Sequence, residues 1–239
     1  MVLCNNRVFA LIWRILGFVI TATGLTFLFI SPNAPQMWVY FTIQTNIFAA
    51  ILFAILIVKT AIQIKTDGTK GNPANIRPVL HIGIVFFITI TMVVYWTMLS
   101  WQAFSMGNGE PNPLGLVGSY IVHGLAPLWL LVDFILFVPH GKINYRSAIW
   151  WLIYPVAYTI FVLAHAAIFE EFLNGSRFPY FFMDIDKLGW TCLPIAIGMY
   201  AFFYAIGLLF VYIDKTLAIH IKARNIARTN DKNKIQHKN

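Results

Sequence analysis

The sequence predicts an all-α protein, a polytopic bundle of six transmembrane helices with both termini in the cytoplasm. The first observation is composition: 59% of the 239 residues are hydrophobic and 11% are charged, whereas soluble domains carry about 25% charged residues. The second is six long apolar segments, each near the roughly 20 residues that a helix needs to cross a bilayer. The third is that Lys and Arg collect on one side of these segments.

The apolar segments are separated by polar stretches that contain Pro, Gly and Asn, for example residues 31–35 and 107–113. They define a six-span transmembrane domain over residues 1–214 and a basic cytoplasmic tail over residues 215–239. The first segment is too long for the apolar part of a signal peptide, so we interpret it as a membrane anchor. The expected helices lie at about residues 8–30, 37–64, 76–101, 114–138, 147–169 and 188–214.

The distribution of basic residues predicts the orientation. Two flank or enter the first helix, four lie around the second loop, two lie in the fourth loop and seven lie in the tail, which leaves only Arg177 and Lys187 on the other side. Cytoplasmic loops carry the excess of Lys and Arg, so the termini should be cytoplasmic in a multi-pass protein of the cell membrane. The opposite side is acidic, with Glu110, Glu170, Glu171, Asp184 and Asp186.

The same charge distribution determines which partners we expect. Membrane insertion accounts for the net charge of +8, so the expected partners are membrane lipids and no nucleic acid. The two cysteines, Cys4 and Cys192, have no metal-ligand spacing, and we expect no disulfide, no metal and no cofactor. The sequence specifies no oligomeric state.

Polar side chains within the spans are the candidate functional residues, because such groups are costly in lipid and face the bundle interior. At 1.5 Å per residue, Thr42 lies roughly 8 Å and His123 roughly 13 Å from the outer face, and His165 lies in the same half. Asp133 and His81 lie toward the cytoplasm. The other candidates in the spans are Gln44, Thr45, Asn46, Ser119, Tyr154 and Tyr158.

Helical spacing groups these residues into stripes. Thr42, Thr45 and Asn46 share one face of the second helix, and Ser119 lies one turn outside His123. A neighbouring helix would be able to approach closely at Gly115, Gly118 and Gly124. One face of the fifth helix carries Tyr154, Tyr158 and His165. The stripes predict a polar pocket in the outer leaflet. The commoner fate of such residues is structural, since a Thr in a membrane helix usually bonds its own i−4 carbonyl.

Three short motifs resemble the androgen-induced-gene family of six-helix membrane proteins, over roughly residues 37–190. The first is residues 41–46 (Phe-Thr-Ile-Gln-Thr-Asn), and the second is His123 followed ten residues later by Asp133. The third is residues 178–184 (Phe-Pro-Tyr-Phe-Phe-Met-Asp), just before the last helix. Their order and spacing along six helices carry the resemblance.

The resemblance implies an intramembrane threonine hydrolase. Animal members of the family cleave fatty acid esters of hydroxy fatty acids, and the nucleophile and the His of their pattern fall on Thr42 and His123. Those members have Glu where Asp133 stands and a second His where this chain has Tyr120. Thr45 lies one turn from Thr42 and is the alternative nucleophile. The implied substrate is a lipid ester.

The proposed chemistry requires a base beside the hydroxyl, and a neutral imidazole serves near pH 7. Asp133 is about 15 Å from His123 along a helix, so Asn46, Tyr158 or a backbone carbonyl is the better candidate to orient the ring. Asn46 and Tyr180 are the candidate oxyanion donors.

Two other hypotheses use the same polar layer. One is a transporter, channel or receptor for a small ligand, although no span carries the paired Gly and Pro that mark a broken helix at mid-membrane. The other is axial ligation of a haem iron by His123 and His165.

Overall fold

The computed structural model describes residues 2–30, 34–100, 113–169 and 175–236. Six of its helices are long and apolar enough to cross a membrane, which confirms the predicted six-helix all-α bundle, and the chain is an integral membrane protein. Glu110, Glu170 and Glu171 of the predicted acidic side lie outside the described residues. The six helices are α1 (Arg7–Phe29), α2 (Phe41–Asp67), α3 (Pro78–Leu99), α4 (Pro113–Phe137), α5 (Arg146–Ile168) and α6 (Cys192–Gln236).

Two helices differ in their bounds from the sequence expectation. The second span starts at Phe41 instead of residue 37, because a separate short helix, Ala34–Met37, precedes it. The last helix begins at Cys192 after two short turns and continues to Gln236, through the segment expected to be a tail. Its 45 residues are about 68 Å long at 1.5 Å per residue, more than twice the roughly 30 Å of a hydrocarbon core.

Helices α1 to α4 form the main bundle, and α5 and α6 pack against α3. At one contact between α1 and α4, a Cβ on Gly118 would lie 3.1 Å from the Gly24 carbonyl, so the glycines let the two backbones approach. A Cβ on Gly124 would make only ordinary contact with Trp96. We call the end of the bundle where α2, α4 and α6 begin the Thr42 end, and the opposite end the Arg7 end.

Three helices depart from regular α geometry. α3 contains a π-helical turn over Tyr95–Leu99, and α4 contains another over Ile121–Leu125, where the Ala126 N–H bonds to the carbonyl five residues earlier. α5 is interrupted at Leu152, ahead of Pro155, whose ring removes a backbone donor. Both π turns lie toward the Thr42 end.

A buried ion pair joins α1 to α4 toward the Arg7 end. Arg14 Nε lies 3.1 Å from Asp133 Oδ1, and both side chains are fully buried. Arg14 Nη1 also donates to the Thr60 hydroxyl of α2 at 2.7 Å and to the Ala74 carbonyl at 2.8 Å. One guanidinium therefore connects α1, α2, α4 and the α2–α3 loop.

His81 connects α3 to the same cluster. Its Nε2 lies 3.4 Å from Asp133 Oδ2, and its Nδ1 lies 2.7 Å from Asn75 Oδ1. Asn75 in turn donates to the Phe137 carbonyl at the end of α4. Asp133 therefore contacts both Arg14 and His81.

α6 is anchored near the Arg7 end by a second buried pair. Asp214 lies 3.2 Å from His140 Nδ1 and accepts a hydrogen bond from the Gly141 N–H at 3.0 Å. A Cβ on Gly207 would lie 3.0 Å from the Cβ of Ala148, so α6 and the start of α5 are in close contact. These contacts hold α6 to the rest of the bundle at this end.

We predict that Asp133→Asn strongly destabilises the protein. The substitution leaves the Arg14 charge buried without its counter-charge, and breaking a buried pair in this way costs about 3–5 kcal/mol. Thermal unfolding in detergent, followed by tryptophan fluorescence, should show a clear fall in Tm. The matched control is Asp186→Asn, which removes the exposed pair with Arg177 and should change Tm little. Equal effects of the two substitutions would contradict the structural role of the buried pair.

Candidate active site

Thr42 lies in the first turn of α2, with its hydroxyl directed at α4. The distance from Thr42 Oγ1 to His123 Nε2 is 3.2 Å, which is within hydrogen-bond reach. The Thr42 residue is 8% exposed. The structure thus brings together the two residues that the sequence placed at similar depth on different helices, and the Thr42 hydroxyl contacts another helix instead of only its own.

Ser119 determines the orientation of the His123 ring. The Ser119 carbonyl oxygen lies 2.9 Å from His123 Nδ1, and a carbonyl can only accept, so Nδ1 carries the proton in the neutral ring. The Nε2 lone pair therefore faces the Thr42 hydroxyl. The orienting group is a backbone carbonyl, one of the sequence candidates, and the Ser119 hydroxyl adds a 3.2 Å contact to the same nitrogen.

Two aromatic residues of α3 contact His123, one at its ring and the other at its backbone. The Tyr95 ring stacks on the imidazole, with centroids 3.7 Å apart and planes 12° from parallel. Trp96 Nε1 donates to the His123 carbonyl at 2.9 Å. The two π turns meet here, and π turns within α-helices are frequent at functional sites.

Thr45 and Asn46 face neighbouring helices and do not contact His123 through their hydrogen bonds. The Thr45 hydroxyl lies 2.8 Å from that of Thr91 on α3 and also donates to the Thr42 carbonyl. The Asn46 amide nitrogen donates to the carbonyls of Thr42 and Val122. Both donors of this amide are therefore used, which argues against Asn46 as an oxyanion donor, and both side chains fix α2 against its neighbours.

Tyr158 and Tyr180 cover the first turn of α2. The Tyr158 hydroxyl accepts from the Phe41 N–H and donates to the Val39 carbonyl, each at 3.1 Å. Burial raises the pKa of Tyr180, and hydrogen bonds with Thr42 and Tyr158 act in the opposite direction. The Tyr180 phenol is thus protonated at neutral pH, and it lies beside Thr42.

A largely apolar cavity of about 500 Å³ lies beside Thr42. Its walls come from α2, α3, α5 and α6 and from the segment before α6. Thr42, Tyr158 and Tyr180 contribute to its lining. Thr42 therefore borders a space of the size that binds small organic ligands, whereas His123 is not among the described residues that line it.

Other residues that the sequence singled out lie elsewhere. His165 is half-buried among the rings of Trp38, Phe161 and Phe169, and it is not among the described residues that line the cavity. Tyr120 is exposed and stacks on Trp96.

The geometry of His123 bears on haem and metal binding. Both of its ring nitrogens have hydrogen-bond partners, and its face is covered by Tyr95. Within the described residues, no group of three or more His, Cys, Asp or Glu side chains could hold a metal ion.

Comparison with protein-family models, curated proteins and solved structures finds no significant match to the chain.

Sequence reasoning missed Tyr95 and Trp96. Both lie in an apolar segment where aromatic residues are common, so their composition carries no signal. Their role depends on the conformation of α3. Tyr95 lies in the π turn of this helix and stacks on His123 of α4, and the sequence carries no clear pattern that predicts such a turn.

We predict that neutral His123 carries its proton on Nδ1. Nitrogen-15 NMR of histidine-labelled protein, with the resonance assigned from a His123→Gln variant, should show a protonated Nδ1 and a bare Nε2. Ser119→Ala keeps the backbone carbonyl and should keep this tautomer. A proton on Nε2 would contradict the arrangement described here.

Proposed function

We propose that the chain is a relative of the androgen-induced-gene family and an intramembrane lipid-ester hydrolase, with Thr42 as nucleophile and His123 as base. The observation that carries this proposal is the 3.2 Å contact between the Thr42 hydroxyl and His123 Nε2 beside an apolar cavity. A nucleophile within reach of a base that is oriented by a third group is the arrangement of covalent catalysis. Here the third group is the Ser119 carbonyl.

In the first half-reaction, His123 Nε2 takes the Thr42 proton while Oγ1 attacks the ester carbonyl carbon. The tetrahedral intermediate then collapses, the bond from carbon to the alkoxy oxygen breaks, and the imidazolium returns the proton to the leaving alcohol. The products are a free alcohol and an acyl-threonine ester. The Ser119 carbonyl and the stacked Tyr95 ring both stabilise the transient positive charge on His123.

In the second half-reaction, water replaces the alcohol. His123 takes a proton from the water molecule, and the water oxygen attacks the acyl carbon. Collapse of this intermediate breaks the bond to Thr42 Oγ1, returns the proton to that oxygen and releases a carboxylic acid. Water must reach the site from the Thr42 end, where Thr42 is 8% exposed.

Negative charge on the oxyanion needs donors, and two features supply them. The N-terminus of a long helix favours an anion, and Thr42 is the second residue of α2. The Tyr180 phenol lies beside Thr42 and lines the cavity. We therefore assign the oxyanion donor to Tyr180, with the start of α2 adding its dipole.

The proposed orientation places the site in the outer leaflet. The Arg7 end holds most of the basic residues, so the positive-inside rule makes that end cytoplasmic. The Thr42 end then faces outward in the cell membrane. An ester could partition from the bilayer with its polar group near the interface.

The alternative is a transporter or ligand-binding protein that uses the same polar layer. Between the site and the Arg14 cluster, the described core includes the apolar side chains of Leu52, Phe53, Phe86 and Leu130, each with 0–1% exposure. These residues close the interior to a polar solute. The geometry therefore favours chemistry at one face over passage across the membrane.

We predict that the purified protein hydrolyses esters of hydroxy fatty acids. Thr42→Ala should abolish turnover because it removes the nucleophile, and His123→Ala should reduce it by about 10²–10⁴-fold because it removes the base. Thr45→Val is the matched control and should keep most of the activity, since the Thr45 hydroxyl faces Thr91. The measurement is fatty acid release, followed by mass spectrometry.

A covalent probe separates the enzyme from the alternative. A lipophilic fluorophosphonate or β-lactone should modify the peptide that contains Thr42, and the label should be absent from Thr42→Ala. Turnover that survives in both Thr42→Ala and His123→Ala would refute the proposed chemistry. Saturable lipid binding without any turnover or label would favour the binding protein.

We predict that the C-terminus is cytoplasmic. A green fluorescent protein fused after Asn239 should fluoresce in a bacterial host, and an alkaline phosphatase inserted near Gly175 should be active. The reverse pattern would contradict the orientation and place Thr42 in the inner leaflet.

A further inference from the structure

The cavity lies between α5 and α6, which pack most closely near the Arg7 end. Near the Arg7 end, the start of α5 packs against α6, where Ala148 meets Gly207. Toward the Thr42 end, the hydroxyls of Thr159 and Tyr200 lie 2.6 Å apart across the gap. Beyond this bridge the cavity separates the two helices, and both of them line it.

The rim of the cavity is apolar and exposed at the side of the bundle. Leu163 on α5 is 41% exposed, Leu193 on α6 is 58% exposed and Trp190 is 90% exposed, and all three line the cavity. These residues lie within or beside apolar spans, so in a bilayer their exposed surfaces contact lipid. The cavity interior is buried, as Val94 and Phe203 are 9% and 7% exposed.

The segment before α6 covers the cavity at the Thr42 end. Its residues Phe178 and Phe182 are each 7% exposed. Asp184 holds the segment together by accepting hydrogen bonds from the Ser176 hydroxyl at 2.9 Å and from the Lys187 N–H at 3.1 Å. The cavity is covered at the Thr42 end, and its apolar rim is exposed at the side of the bundle. The wider route to Thr42 therefore runs laterally, from the bilayer.

We propose that the gap between the Thr42-end halves of α5 and α6 is a lateral portal, through which a single acyl chain of a membrane lipid enters the cavity. The occupant follows from the lining, which is largely apolar and whose rim faces hydrocarbon. An acyl chain loses no hydrogen bonds in passing from bilayer to cavity, whereas a polar solute would have to be dehydrated. The inference deepens the proposed function, on which it rests only for the reaction at Thr42.

Photo-crosslinking tests the route without requiring catalysis. Full-length protein is reconstituted in phosphatidylcholine vesicles that contain a phosphatidylcholine with a diazirine at the end of one acyl chain, then irradiated and mapped by mass spectrometry. We expect adducts on the interior residues Val94 and Phe203, in addition to those on lipid-facing residues. Adducts confined to lipid-facing residues such as Ile160 and Ile197 would overturn the proposal.

Rim substitutions show where the chain enters. The double variant Leu163→Trp, Leu193→Trp narrows the portal and should reduce interior adducts several-fold while adducts on lipid-facing residues persist, which also reports that the protein is folded. The matched control is Ile160→Trp, Ile197→Trp, on the same helices at 63% and 61% exposure and outside the cavity lining. Equal interior labelling in the two double variants would overturn the lateral route.

Thr42→Ala separates this inference from the proposed chemistry. Its interior labelling should equal that of the unmodified protein, because the portal does not depend on the nucleophile. Interior adducts without any ester hydrolysis would support the portal and refute the hydrolase. Hydrolysis without interior adducts would support the hydrolase and refute the portal.

Discussion

The ion pair between Arg14 and Asp133 is the interaction on which the rest of the bundle depends. In hydrocarbon no water can solvate a charge, so each of these side chains requires the other, and each requires the helix that carries it. Arg14 also bonds Thr60 and the Ala74 carbonyl, and Asp133 faces His81. Four spans and one loop are therefore fixed at this point, and the register of α4 against α2 is fixed with them.

That register has consequences at the other end of the same helices. His123 lies ten residues before Asp133 on α4, and Thr42 lies eighteen residues before Thr60 on α2. Both residues therefore lie on the side of the Arg14 cluster that faces the Thr42 end. The π turn of α4 then adjusts the direction of the ring, and the Ser119 carbonyl and Tyr95 hold it. The candidate site thus combines a rigid register with one local irregularity.

The polar site and the apolar cavity have separate structural origins. The Thr42–His123 contact belongs to the packed bundle of α1 to α4, which close glycine contacts and buried hydrogen bonds hold together. The cavity depends on α5 and α6, which pack closely near the Arg7 end and are separated by the cavity beyond the Thr159–Tyr200 bridge. A rigid reactive pair beside a lipid-facing opening is consistent with the proposed chemistry on a substrate drawn from the bilayer.

The amino-acid sequence by itself determined the six helices, because the length of each apolar segment matches the bilayer and lipid leaves the backbone no other hydrogen-bond partners. It also determined that Thr42 and His123 lie at similar depth, since depth follows from rise per residue. Only the tertiary structure decided that Thr42 and not Thr45 faces His123, that Tyr95 stacks on the ring and that His165 lies apart. The rotation of each helix about its axis depends on side-chain packing between segments distant in sequence, and periodicity along one segment does not specify it.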